Sequence, residues 1–349
     1  MTLPQIHIEG DAHAIGHGLG VFGRDAVHRH LRPLALWQHL ASLAQTPAAA
    51  QMRQAVQTAF PRYWREIEGL AAGLQLPFNE VFMWNCRGDF VHPQSVDGCT
   101  TVFGPAGGGT LIAHNEDGLP QLRGSCAFAH VKPESGLAFS SFVYPGSLPG
   151  HTLAVNERGL VATVNNIRPA SIPAGIPRQI LGRATLDAHT LQEAIAIVTR
   201  TDRAGAFHHT FGQAGSHRVV SVEASAEGSA IREVRRPGGH SNHLIAPSLN
   251  RVPQRITASS GARQRCVDQQ LQQVPGDLDA DLSLGILRDT SGGHLPVYRT
   301  AADDPDDENT LATGVFLISA SAVKWRIHTR PGTGRPDIEG LVLNPLGKS

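Results

Sequence analysis

An α+β fold is what the sequence predicts, and three observations predict it. Apolar residues fall at helical spacing through most of the first hundred positions. The texture changes after Val96 to short runs rich in Val, Thr, Phe and Ile, and helical pattern returns near residues 179–199 and 262–273. The chain has 349 residues, 41% of them hydrophobic, so it can bury a large core. Length alone would allow two domains. No Pro/Ser/Gly linker, charge block or composition shift marks a boundary, and one compact domain over 1–349 is expected.

The helical stretches are residues 12–43 and 47–74, the second with Ala-rich turns and Gly73 as its stop. Strands are predicted at 100–103, 110–113, 153–155, 160–164, 219–222 and 314–318, each bounded by Gly, Pro or Asn. In the later helical segment Thr190 is placed as an N-cap, because its hydroxyl can accept from the first free N–H groups ahead of Leu191-Gln192-Glu193.

Charge and composition exclude several classes. Thirty basic and thirty acidic side chains cancel, and no Lys/Arg run marks a phosphate-binding groove, so nucleic acid is not expected as a partner. No basic start followed by an apolar run opens the chain, and no stretch of about 18 apolar residues occurs. A cytoplasmic protein without membrane contact is the expectation. Gly347-Lys348-Ser349 matches no address signal. The four cysteines (Cys86, Cys99, Cys126, Cys266) lack CxxC spacing, which argues against zinc and disulfides. His13 and His17 share a helix face, but no HExxH or Asp/His cluster accompanies them; neither metal nor cofactor is expected. The acidic segment 302–308 lacks the spaced oxygen ligands of a calcium loop and is read as a solvated surface turn.

The chemistry centres on Gly98-Cys99, a glycine directly before a cysteine that opens a predicted strand. Without a side chain, Gly98 lets a thiol approach its carbonyl and tolerates a strained peptide there. Attack by Cys99 on that carbonyl gives a thioester; water then releases the chain at Gly98 and leaves Cys99 as a new N-terminus. The α-amino group so formed, with an ordinary pKa of about 7.7–8.0, can itself accept the thiol proton. Taken alone, the pair also fits a structural cysteine at a strand start.

Pro105-Ala106-Gly107-Gly108-Gly109 reads as a turn leading to a second strand through His114 and Asn115. With Phe103 facing Thr110, Cys99 faces about His114. Asp117 then lies about 10 Å further along the strand, able to hold the new ammonium and orient the thiol, or to serve as a turn aspartate. Asn242, in a polar turn before Leu244-Ile245, is a candidate oxyanion donor, and Asn165 and Asn166 end a strand where an amide could do the same; capping a loop is the alternative for each. His208, His209 and Arg218 are read as surface strand residues, with contact to a polar substrate group as the alternative.

The segments DGCTTVF, AHNEDG, NERGLVATVNN and HSNHL, in that order, resemble the acyl-coenzyme A:6-aminopenicillanic acid acyltransferase family of N-terminal nucleophile hydrolases. The resemblance extends to the Gly/His-rich opening around Gly10 to Gly18, to Glu66-Ile67-Glu68-Gly69-Leu70-Ala71-Ala72-Gly73, to Trp84-Asn85-Cys86-Arg87, and to Pro296-Val297-Tyr298-Arg299. It implies a four-layer αββα sandwich, autoproteolysis into a small chain 1–98 and a large chain 99–349, and hydrolysis or acyl transfer at linear amides such as N-acyl amines, N-acyl amino acids or β-alanyl amines. By carry-over Cys99 is the nucleophile, Asp117 supports its amine and thiol, Asn242 is the oxyanion donor, Asn165 or its backbone is a second one, and Arg299 matches a late arginine. The implied partners are a small-molecule amide and the chain's own cleaved half, an αβ heterodimer whose number of copies is open. Other readings are acyl transfer to an amine, or a binding protein of this fold without chemistry.

Overall fold

The computed structural model describes residues 3–90, 98–330, 332 and 334–344; Val96, Asp97 of the DGCTTVF segment and the C-terminal Gly347-Lys348-Ser349 lie outside them. In chain order the elements are β1 (Gln5–Gly10), α1 (Ala12–Ala26), α2 (Ala35–Leu43), α3 (Pro47–Ala59), α4 (Pro61–Leu74), α5 (Phe78–Asn85), α6 (Arg87–Phe90), β2 (Cys99–Ala106), β3 (Gly109–Gly118), β4 (Ala127–Pro133), β5 (Phe139–Val143), β6 (Leu153–Asn156), β7 (Leu160–Ile167), α7 (Arg178–Thr185), α8 (Leu191–Val198), β8 (Ala206–Gln213), β9 (Val219–Ser225), β10 (Gly228–Val234), β11 (Gly238–His240), α9 (Ala258–Gln272), α10 (Ala280–Leu287), β12 (Asn309–Ile318), β13 (Ala322–His328) and β14 (Ile338–Leu343).

The strands form two sheets, ordered β1-β4-β5-β6-β7-β8-β9-β10 and β11-β2-β3-β12-β13-β14. β2 and β3 lie against β7, β8 and β9 of the other sheet, while α1 and α8 cover the larger sheet and α9 and α10 the smaller. This is the four-layer αββα sandwich. Each strand's two-residue period sends alternate side chains to the inter-sheet core and to a helix layer. On β2, Phe103 joins the large core, whereas Val102 joins the cluster that Val267 of α9 and Leu287 of α10 complete.

Helix α1 packs on α4 with backbone nearly touching backbone. A Cβ on Gly16 would collide with the Glu66 carbonyl, one on Gly69 with the His13 carbonyl, and Gly73 sits against Gly20. Gly73 is therefore a packing residue and not the helix stop; the cap is Gln75, at φ 57° and ψ 43°. Pro61, lacking an N–H, splits the helical stretch 47–74 at Phe60. A buried ion pair joins Arg183 of α7 to Glu66 of α4 at 3.0 Å. The predicted 179–199 helix is two, and Thr190 caps the second by accepting from Glu193 N–H at 3.1 Å. Strand β1, absent from the expectation, pairs in parallel with β4. Residues before Cys99 thereby complete a sheet made mostly of residues after it.

The β2–β3 register is shifted from the expectation. Ala106 pairs with Gly109, so the turn is the two residues Gly107 and Gly108, both at positive φ (44° and 85°), which a primed two-residue turn demands and glycine supplies. Phe103 consequently faces Ile112, and Cys99 faces Glu116, two residues beyond His114.

Candidate active site

Cys99 opens β2 on the core-facing side, with its thiol 3.7 Å from Glu116 Oε2. Glu116 Oε2 also lies 3.1 Å from His114 Nε2, and His114 Nδ1 lies 2.8 Å from Thr101 Oγ1. Thr101 donates to Asn165 Oδ1 at 2.7 Å, and His208 Nδ1 approaches the same oxygen at 2.9 Å. The His208 ring stacks on His240 with centroids 3.6 Å apart, and His240 Nε2 meets Glu223 at 2.9 Å. Every one of these side chains is buried. Burial holds the His114 pKa down to about 3, so its imidazole is neutral at ordinary pH. His208 and His209 are thus core residues and not surface ones, and only Arg218 lies outside, in an exposed pair with Glu233 at 3.0 Å.

Asp117, one residue on, belongs to the opposite face of the sheet. Its backbone N–H donates to the Gly98 carbonyl at 2.9 Å. Its Oδ1 accepts from Thr310 at 2.7 Å, and its buried Oδ2 has no hydrogen-bond partner. Burial raises the Asp117 pKa, and the nearby Arg263 and Arg299 guanidinium groups oppose that rise. The carboxylate beside the thiol is Glu116; Asp117 sits beneath the Gly98-Cys99 backbone.

Asn242 follows β11. Its Oδ1 accepts from Cys99 N–H at 3.0 Å and from Arg263 at 2.7 Å, which leaves Nδ2 pointing away as a buried donor without a partner. An unpaired amide donor in a site that already contains a nucleophile is what acyl transfer requires for its oxyanion. Asn165 is differently placed: Oδ1 serves Thr101 and His208, and Nδ2 donates to the His240 carbonyl at 3.2 Å, so its side chain is committed to the core network. Asn166, its neighbour, lines the narrow cleft onto which Cys99 and Glu116 open, with Arg87, Asp89 and Arg178; the space measures about 20 Å³, room for one water.

Arg299 is buried, and its guanidinium is gripped by Asp304 and Glu308 with Asp306 at 3.2 Å. Within the acidic segment 302–308, Asp304 and Glu308 turn inward onto this cation, while Ala302, Asp303, Pro305 and Asp307 stay exposed, so the expected solvated turn holds for part of the segment only. A Cβ on Gly98 would collide with the Glu308 carboxylate and come within 3.0 Å of Arg299, so glycine is needed there for space. Burial pushes Glu308 up to about 7 against the pull of Arg299.

Arg263 of α9 went unforeseen. It donates to the Cys99 carbonyl at 2.6 Å, to Thr100 Oγ1 at 2.9 Å and to Asn242, and so fixes the first residue of β2. No pattern signals it, since a buried arginine in a helix looks like any surface one. Glu116 was within reach: the Gly107-Gly108 pair as a two-residue turn implies its register with Cys99. Among the described residues, Cys99, His114 and Glu116 form the one grouping of metal-ligating side chains, their ligand atoms within 4.8 Å of one another; His13 and His17 are not in it. No described helix is long and apolar enough to cross a membrane.

Several known proteins are similar to this chain. A β-alanyl-dopamine/carcinine hydrolase of Drosophila melanogaster is 25% identical over 362 aligned residues, covering 92% of each chain. The 40 kDa form of an acyl-coenzyme A:6-aminopenicillanic-acid acyltransferase of Emericella nidulans is 26% identical over 76% of this chain and 75% of its own. Among solved structures, a mutant conjugated bile acid hydrolase from Clostridium perfringens aligns over 70% of this chain and 96% of its own, with TM-score 0.41 and 10% identity. The acyl-coenzyme A:6-aminopenicillanic acid acyl-transferase family model matches residues 105–330, well over half of the chain, and the chain belongs to that family.

Proposed function

We propose that this protein is a self-activating amidohydrolase in which Cys99 cleaves the Gly98-Cys99 bond and then, as a chain N-terminus, takes the acyl group of a linear amide as a thioester that water resolves. The observation that carries the reading is the pairing of Cys99 with two unspent groups around it, the Asn242 Nδ2 donor and the Asp117 Oδ2 acceptor. After cleavage the new ammonium is an extra donor beside Asn242 Oδ1, which already accepts from the Cys99 nitrogen, and Asp117 Oδ2 is an available counter-charge. Asn242 Nδ2 is the donor for the oxyanion of the acyl intermediate. Strand β1, from before Cys99, pairs with β4 in a sheet whose other strands all come after it, so the pieces 1–98 and 99–349 stay interlocked as a heterodimer. The named relatives, one a β-alanyl-dopamine/carcinine hydrolase and one an acyltransferase, support an amide as substrate and admit acyl transfer to an amine as a second outcome of the same thioester.

Intact mass of the purified protein, read with an amide-library screen, tests the proposal. Two masses split at Gly98 and amine release from at least one amide are expected, with Cys99→Ala remaining a single inactive chain. An uncut chain that hydrolyses amides refutes the N-terminal mechanism; a new amide formed when hydroxylamine is supplied identifies the acyl-transfer branch.

A further inference from the structure

The first turnover of this site differs chemically from all later ones. Until the Gly98-Cys99 bond breaks, the Cys99 nitrogen is an amide and cannot accept the thiol proton. Self-cleavage therefore needs a base that mature catalysis does not. The hydrogen-bond directions beneath Cys99 show where one is. Asn165 is oriented by its Nδ2, which donates to the His240 carbonyl. Its Oδ1 thus faces Thr101 and receives the hydroxyl proton. The Thr101 oxygen is then an acceptor, and the group it accepts from, 2.8 Å away, is His114 Nδ1–H. That assigns the tautomer: His114 Nε2 carries the lone pair, and it points at Glu116 Oε2 across 3.1 Å. Two acceptors at that distance require one proton between them.

We infer that Glu116 and His114 form the proton relay that activates Cys99 for self-cleavage, an inference that rests on the self-cleaving reading above. As the Cys99 sulfur attacks the Gly98 carbonyl carbon, the thiol proton passes to Glu116 and the proton held between the pair moves fully onto His114 Nε2. The S–C bond forms, and the Asp117 N–H already bonded to Gly98 O holds the developing oxyanion. When the intermediate collapses the C–N bond breaks, His114 and Glu116 return one proton to the departing Cys99 nitrogen, and an amine is formed. Water then splits the thioester, giving the Gly98 carboxyl group and restoring the thiol, so the pair ends with the proton it began with.

The test follows the full chain made by cell-free translation, with the appearance of the 99–349 fragment timed by intact mass. Glu116→Ala is expected to slow cleavage by roughly 10²- to 10⁴-fold, and sodium formate, a small carboxylate that fits the vacated space, restores the rate in a saturable way. Glu116→Gln is slow and does not respond, because its amide fills the site. His114→Ala with added imidazole is the parallel arm, to be read if Glu116→Ala lacks a cooperative melt. Wild-type rates in both alanine variants overturn the relay. So does slow cleavage with a native melt and no rescue in either, which makes the pair structural. Faster cleavage of the wild type with a chelator, together with one bound zinc per intact chain, also overturns it by placing a cation where the proton is assigned. A wild-type chain that never cleaves is a distinct result, which removes the self-cleaving reading itself.

Discussion

The two faces of the β2–β3 hairpin differ in how they handle charge. On the core face Cys99, Thr101, His114 and Glu116 meet Asn165 and His208 in a buried network whose members donate and accept in sequence. On the helix face Thr100 and Asp117 meet Arg263 and Thr310, and near them Arg299 is locked among acids. One face strings neutral donors and acceptors into a chain; the other holds backbone in place through fixed charges. A strand's alternation lets adjacent residues, Glu116 and Asp117, serve both.

The largest expected effect is on the fixed side. Arg299→Ala leaves Asp304 and Glu308 buried without their cation and should cost about 3–5 kcal/mol, measured by urea unfolding. A loss under about 1 kcal/mol would mean that the acidic segment opens to water readily, and the contrast between the faces would weaken. Next comes the donor between them. In the cleaved form proposed above, Asn242→Ala should lower kcat by roughly 10²- to 10³-fold with a smaller change in KM, and an unchanged kcat would move the oxyanion to backbone donors.

Acid should then unfold the proton-handling interior. His114, His151 and His209 are each held by burial at about 3, below their unfolded value of 6.5, so the unfolded chain binds protons first and stability falls as pH drops from about 6.5 toward 3. Each contributes up to about 1.4 kcal/mol per pH unit. Glu308, raised to about 7, acts in reverse: its contribution is fully present below its unfolded value and is lost as pH rises through 7. Melting temperatures between pH 7 and pH 4 read the net slope. His209→Phe, which removes an imidazole with no partner on either nitrogen, should flatten it. At the small end, Arg218→Ala breaks only an exposed pair with Glu233 and should shift stability by less than about 0.5 kcal/mol.

How far the site could be read from residues alone follows from the same alternation. Gly98-Cys99, the strands around it and the Thr190 cap depend on local order and were legible as such. The register was misjudged because the five residues 105–109 allow several turns, and a two-residue error keeps every side chain on its face while changing its partner. Buried His208 and His209 looked like surface residues because a polar residue in a strand carries no mark of which sheet will cover it. Arg263 reaches the Cys99 carbonyl from 164 positions away, a contact that no local pattern encodes.

By itself the sequence determined the fold class, the strands β2, β3, β6, β7, β9 and β12 and the Gly-Cys junction on which the proposed chemistry turns, because periodicity, turn residues and such a junction are properties of neighbours. The tertiary structure decided which carboxylate meets the thiol, which amide keeps a free donor, and that the acidic segment encloses Arg299. Those outcomes depend on what else is buried nearby, and burial is settled only when the two sheets and their helices close on one another.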